Sequence, residues 1–138
     1  MKLRGEDEWG SGAYQAPRGD GAHNGVDPCI SPGDAIKSLT YGVVTKRGWC
    51  YDWDDYPDRK HLRYVQVTLD GNDFRYMYCN LSVSKGDSVK PGDELGIALD
   101  LDPFFPGITP HYHFEIIGPD GEYVNPADMI PEIAEALV

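Results

Sequence analysis

"RYVQVTLDGNDFRYMYCNL", residues 63–81, decides the fold. Two β-rich runs, 63–69 and 74–81, flank Asp70-Gly71-Asn72-Asp73. Asp-Gly and Asn-Asp tolerate positive φ, so the stretch reads as a β-hairpin. Outward from it, "DELGIAL" (93–99) and "HYHFEII" (111–117) read as further strands, and "GPDGEYV" adds a turn and a short strand. "DAIKSLTYGVV" (34–44) is mostly strand-like and ends at Lys46-Arg47-Gly48. "WCYDWDDYPDRKH" (49–61), aromatic and acidic with a proline, reads as a long surface loop. Only "IPEIAEALV" at the end reads as helix: Pro131 suits a first turn, and Ile130, Ile133, Ala134 and Leu137 share a face. Residues 1–13, charged and glycine-rich, read as a flexible lead-in, which leaves 14–138 as the single domain.

"SPGDAI" (31–36) and "KPGDEL" (90–95) share a Pro-Gly-Asp turn feeding an apolar strand start. The echo hints at two similar β-units packed together, so the expected class is all-β with Greek-key-like or barrel-like closure.

Composition narrows the function. The 138 residues contain 41% hydrophobic and 12% aromatic residues, enough for a folded core. The net charge of −11 disfavours nucleic acid, which needs a basic surface, and a polybasic membrane patch. No apolar run approaches the roughly 20 residues of a membrane helix. The start, "MKLRGEDEWGSG", has no signal-type hydrophobic stretch, so synthesis without a signal peptide in the cytoplasm is expected. Cys29, Cys50 and Cys79 form no C-x-x-C pair, and their odd count argues against a disulfide framework.

The chemistry lies in the histidines, of which there are four. "HNGVD" (23–27) separates His23 from Asp27 by four; Gly25 within it and Pro28 after it argue against helix. On an extended segment both side chains share a face. In "HYHFEI", His111, His113 and Glu115 share one face, while Tyr112, Phe114 and Ile116 face the core. A catalytic zinc takes three protein donors, nitrogen or oxygen at about 2.0–2.2 Å, and keeps a fourth place for water. His23, Asp27 and one histidine of the pair fit that count, leaving the other for proton transfer. A His-x-His on a strand is, alone, more often two surface histidines than a ligand pair. The conjunction of the motifs favours a metal site, and His61 reads as an ordinary loop or strand-edge histidine.

Three stretches then resemble the lysostaphin-type zinc endopeptidases. "APRGDGAHNGVDPCISPGDAIKSLTYGVVTKRG" carries the H-x-G-x-D motif before a Pro-Gly turn and a strand. "YMYCNLSVSKGDSVKPGDELGIAL" is similar to the central Y-x-H-L strand and its glycine-rich continuation. "GITPHYHFEI" with "GEYVNP" matches the closing H-x-H-F-E. The resemblance runs in order over residues 14 to about 128. It implies two packed antiparallel sheets, a duplicated hybrid motif. It also implies one Zn2+ on His23, Asp27 and His113, with His111 as a catalytic histidine, and a peptidoglycan peptide as substrate. A bacteriophage member is suggested, carried in the virion with tail proteins or released at lysis, and acting at the bacterial cell wall.

The departure is at position 80. Asn80 stands where the family has its second catalytic histidine, in Tyr78-Cys79-Asn80-Leu81. Asparagine exchanges no proton near neutral pH, though its amide can donate to an oxyanion. Tyr78 is expected to share the cleft face with Asn80, and Cys79 to be buried behind it. Trp49, Tyr51, Trp53 and Tyr56, in the 49–61 loop, are candidates for a substrate wall; the alternative is a solvated loop pinned by two aromatics. "DLDPFFPGITP" (100–110) is expected to shape the cleft rim. Two functions stand: a zinc endopeptidase relying on His111, or, because of Asn80, a catalytically impaired metal-binding module of a phage tail or assembly.

Overall fold

The computed structural model describes residues 1–18 and 21–137; Gly19 and Asp20, in the approach to His23, and Val138, the end of the expected helix, lie outside the described residues. In chain order the strands are β1 (Glu6–Asp7), β2 (Gly10–Ser11), β3 (Pro17–Arg18), β4 (Gly21–Ala22) and β5 (Gly25–Val26). Next come β6 (Ala35–Lys37), β7 (Gly42–Trp49), β8 (Arg63–Leu69), β9 (Asn72–Met77) and β10 (Cys79–Leu81). The last are β11 (Ser88–Val89), β12 (Glu94–Ala98), β13 (His113–Ile117) and β14 (Tyr123–Val124), followed by the α-helix α1 (Pro131–Ala136). The larger sheet is ordered β11-β7-β8-β9-β13-β14, with β5 also pairing β13, and the smaller is β10-β12-β6. All pairings are antiparallel. The all-β expectation holds.

The 63–81 hairpin closes through Asp70 (φ 53°) and Gly71 (φ 79°), with Leu69 opposite Asn72. Two successive positive φ angles match the twist of the flanking strands. The Pro-Gly-Asp echo is a reciprocal pairing across the smaller sheet. Gly33 N–H donates to Ala98 O at 2.9 Å, and Gly92 N–H donates to Ser38 O at 2.9 Å. Ala98 N–H returns a bond to Asp34 O at 2.9 Å, and Ser38 N–H returns one to Asp93 O at 2.8 Å. Each turn docks on the end of the other unit's strand, and Gly33 (φ 89°) and Gly92 (φ 94°) supply the required backbone.

Between the sheets lies a core of Ile36, Val65, Val67, Phe74, Tyr76, Leu95, Phe114 and Ile116, all essentially buried. Phe74 and Phe114 stack at 6.4 Å, and Tyr76 meets Phe114 at 4.9 Å. These aromatics anchor β9 to β13, which begins at His113.

Four expectations differ from the structure. Residues 34–44 form two strands rather than one, and β7 continues through Trp49 because it pairs with β8 as far as Arg63. His111 precedes β13, held by an isolated bridge to Cys29. Leu137 caps α1 and is exposed, so the buried helix residues are Ile130 and Ile133. The 1–13 segment is no loose lead-in: it carries the β1-β2 hairpin, and Arg4 is buried at 4% exposure.

Candidate metal centre

The site is built where β5 meets β13. Glu115 lies opposite Gly25, and Phe114 opposite Val26. A Cβ on Gly25 would fall inside the Phe114 carbonyl, so the glycine of H-x-G-x-D is what lets this segment approach β13. The approach delivers His23 and Asp27 to His113. The His23 Nε2 to His113 Nδ1 distance is 3.0 Å. Asp27 Oδ1 lies 3.0 Å from His23 Nε2 and 3.1 Å from His113 Nδ1. All three residues are buried. A tetrahedral ion with bonds of about 2.0–2.1 Å spaces its donors by about 3.3 Å, so two imidazole nitrogens and a carboxylate oxygen at this spacing suit zinc.

Each donor is oriented from behind. His23 Nδ1–H donates to Ala13 O at 2.9 Å, which leaves Nε2 as the donor atom. His113 Nε2–H donates to Glu115 Oε1 at 2.8 Å, which leaves Nδ1. Asp27 Oδ2 accepts from Arg4 Nε–H at 3.0 Å, and Arg4 NH2 lies 2.9 Å away, which leaves Oδ1. Such outer partners fix tautomer and ring direction in metal sites. Burial opposes charge on Asp27, but bonds from His113 and His23 outweigh it and hold the carboxyl well below the usual range. Burial likewise lowers the His113 pKa, yet Asp27 and Glu115 outweigh it and push the value up to about 9.

His111 stands beside these three without joining them. Its Nδ1–H donates to Thr109 O at 2.7 Å, and its Nε2 is 3.6 Å from Asp27 Oδ2. Burial pulls its pKa below the ordinary value, against the opposing pull of Asp27 and the Thr109 carbonyl, and so favours the neutral ring, in which Nε2 is the acceptor. The Tyr78 ring meets His111 edge-on at 5.9 Å.

A cavity of about 280 Å³ opens over this floor, walled by Trp9, Tyr51, Tyr78 and Phe105. The expected rim stretch 100–110 does contribute Phe105 and Ile108. Trp9 closes one side, donating its indole N–H to Pro106 O at 2.9 Å and meeting Phe105 edge-on at 5.6 Å.

Three residues expected at the cleft, Asn80, Trp49 and Trp53, fall outside the cavity lining. Asn80 is exposed and does not line it. Tyr78 does line it, but not by strand alternation with Asn80: it sits at φ 70° between β9 and β10, where the chain passes from the larger sheet to the smaller. A left-handed tyrosine costs about 1–3 kcal/mol and breaks the two-residue period. Trp49 and Trp53 meet edge-on at 5.4 Å, both about half exposed, and neither lines the cavity; Tyr51 is the loop's contribution. His61 is exposed and Cys79 is buried, as expected, and all three cysteines are free. Arg4, Trp9 and Ala13 went unnoticed in the sequence, where a charged, glycine-rich stretch gives no periodic signal. Glu115 was visible only as a polar residue on the histidine face.

Known proteins place this geometry. Residues 21–126 match the family model described as Peptidase family M23. Leukocyte cell-derived chemotaxin-2 of mouse (Mus musculus) is 30% identical over 116 residues, which is 83% of this chain and 72% of the mouse protein. The antimicrobial peptidase lysostaphin from Staphylococcus simulans superposes with TM-score 0.65 at 22% identity, over 92% of this chain and 49% of that one. This chain thus spans about half the length of lysostaphin. The catalytic domain of the prophage-encoded M23 protein EnpA from Enterococcus faecalis gives TM-score 0.57 at 20% identity, over 90% and 88% of the two chains. At these identities the structural likeness carries the fold. With the family model covering most of its length, the chain belongs to Peptidase family M23.

Proposed function

We propose that the chain is a zinc-dependent endopeptidase that hydrolyses peptide bonds of bacterial peptidoglycan. One observation carries the reading: three oriented donors lie 3.0–3.1 Å apart on the floor of an open cavity, with His111 Nε2 beside them, 3.6 Å from Asp27 Oδ2. Family membership and the likeness to an antimicrobial peptidase support it. His23, Asp27 and His113 would hold the ion. When bound, zinc supplies Lewis acidity, polarising a carbonyl and acidifying water to a pKa near about 7.

The chain's own residues supply the rest. His111 Nε2 accepts the proton of the attacking water and returns it to the leaving amine. Burial keeps the Tyr78 phenol protonated, its pKa well above the ordinary value, so its O–H is available to donate to an oxyanion. The aromatic walls exclude water and cover a peptide. We place the protein at the bacterial cell wall, as a phage lysin or virion-associated hydrolase working with tail proteins. Its acidic charge of −11 counts mildly against that, because bacterial walls are often anionic.

A second reading, a metal-binding module without hydrolysis, is favoured by one observation: Asn80, at the position where the family resemblance implies a second histidine, lies outside the cavity lining. Digestion of purified peptidoglycan separates the two. Release of soluble peptides by the wild type, blocked by a chelator and abolished in His111→Ala with metal uptake intact, supports the enzyme. Zinc uptake with no release by either the wild type or Asn80→His supports the module.

A further inference from the structure

We propose that Arg4 is a positioning residue of the metal centre, which holds one oxygen of Asp27 and so commits the other to the ion. The inference rests on the metal reading above. Both ends of the Arg4 fork that reach Asp27, Nε at 3.0 Å and NH2 at 2.9 Å, converge on Oδ2. Oδ1 is left facing His23 Nε2 and His113 Nδ1 at 3.0 and 3.1 Å. The two side chains are each 3% exposed, so the pair is largely shielded from solvent.

The N-terminal segment grips Asp27 by its backbone as well. Arg4 N–H donates to Asp27 O at 2.8 Å, and Asp27 N–H donates to Gly12 O at 3.1 Å. The fit admits only glycine at 12, where a Cβ would fall 2.7 Å from Arg4 Cβ and 3.0 Å from Asp27 Cβ. Arg4 is itself fixed, its NH1 donating to Asp7 Oδ1 at 2.9 Å and to Gly10 O at 3.1 Å. Asp7 Oδ2 accepts from Thr109 N–H at 3.0 Å, which ties the hairpin to the segment carrying His111.

A buried ion pair is weak evidence for stability alone, and a merely structural pair has no need to spare one carboxylate oxygen. Here the division of the two oxygens matches what a site with three protein donors and an open place requires: one atom from each ligand. Without Arg4, Oδ2 would keep only the more distant Arg18 and His111 nitrogens, at 3.9 and 3.6 Å, and would be able to turn toward a bound ion as a second donor.

The test uses the full chain loaded with cobalt in place of zinc, because four-coordinate cobalt absorbs visible light more strongly than five- or six-coordinate cobalt. Arg4→Met and Arg4→Lys are compared with wild type by cobalt spectrum and zinc affinity, after each is shown to fold in chelator by circular dichroism. The expected result is a strong four-coordinate spectrum for wild type. Arg4→Met should weaken that spectrum and lose about 10–100-fold in zinc affinity. Arg4→Lys, which keeps the charge but lacks the fork, should recover part of the affinity. Unchanged spectrum and affinity in a folded Arg4→Met protein overturn the proposal and leave Arg4 a structural ion pair. Should Arg4→Met not fold, Arg4→Lys decides by the same criterion. A wild type that takes up neither metal refutes the metal reading itself, and the proposal falls with it.

Discussion

Replacing Glu115 tests whether the polar layer behind the histidines tunes the site or merely fills space. Its Oε1 accepts from His113 Nε2–H at 2.8 Å, and its Oε2 lies 3.7 Å from Arg75 NH1. Arg75 in turn donates from Nε to Gln66 Oε1 at 2.8 Å, so the carboxylate is embedded in a connected network at 4% exposure. A hydrogen bond to a charged group contributes about 1.5–3 kcal/mol. Loss of an outer-shell partner of a metal histidine costs about 10–100-fold in affinity, or about 1.4–2.7 kcal/mol, and the two scales agree. Glu115→Gln keeps an acceptor but loses the charge, and should weaken zinc binding about tenfold. Glu115→Ala loses both, and should approach a hundredfold. Competition against a chromophoric chelator at fixed pH measures the dissociation constants. Equal affinities within twofold for wild type and a folded Glu115→Ala protein refute the reasoning.

Three further outcomes follow from the same geometry. Gly25→Ala drives a Cβ into the Phe114 carbonyl and should cost at least about 3 kcal/mol, seen as a fall in Tm of about 10 °C in chelator. An unchanged Tm would mean that β5 and β13 are not so close. Burial opposes ionisation of Asp7, but bonds from Thr109, Trp9 and Arg4 outweigh it, and its pKa is lowered from 3.8 to about 2. A depressed carboxyl adds stability above its unfolded pKa and loses it on acidification. Wild type should therefore exceed Asp7→Asn in chelator above pH 4, with the difference shrinking as pH falls toward 2; a gap independent of pH in urea titrations contradicts this. Tyr78→Phe removes the phenol donor from the cavity and should lower the rate of peptide release about 10²-fold with zinc content unchanged; an unaltered rate removes Tyr78 from the chemistry.

Local chemistry was legible wherever neighbours in sequence decide it. Asp70-Gly71 specified its hairpin, and the Pro-Gly-Asp pair marked two turns that dock on one another. The alternation in 111–117 sorted Phe114 and Ile116 to the core and His113 and Glu115 to the polar side. Positions set by distant partners were not legible. Arg4 lies 23 residues before Asp27 and is buried against that carboxylate, with Asp7 and the Gly10 carbonyl as its other partners. Its stretch, read alone, has the composition of a mobile end. Tyr78 defeats an alternation argument through one left-handed residue, and with it the pairing of Tyr78 and Asn80 on a single face. Trp49 and Trp53 look like a binding wall in sequence, yet they serve each other, with Arg63 4.3 Å from the Trp49 ring centroid and Lys60 5.1 Å from that of Trp53.

Elemental analysis of the purified full chain, dialysed against a small excess of zinc, bears most directly on the centre itself. One zinc per chain in the wild type, falling below about a tenth in His113→Ala and unchanged in His111→Ala, is the predicted result. Equal zinc in the wild type and His113→Ala proteins contradicts it.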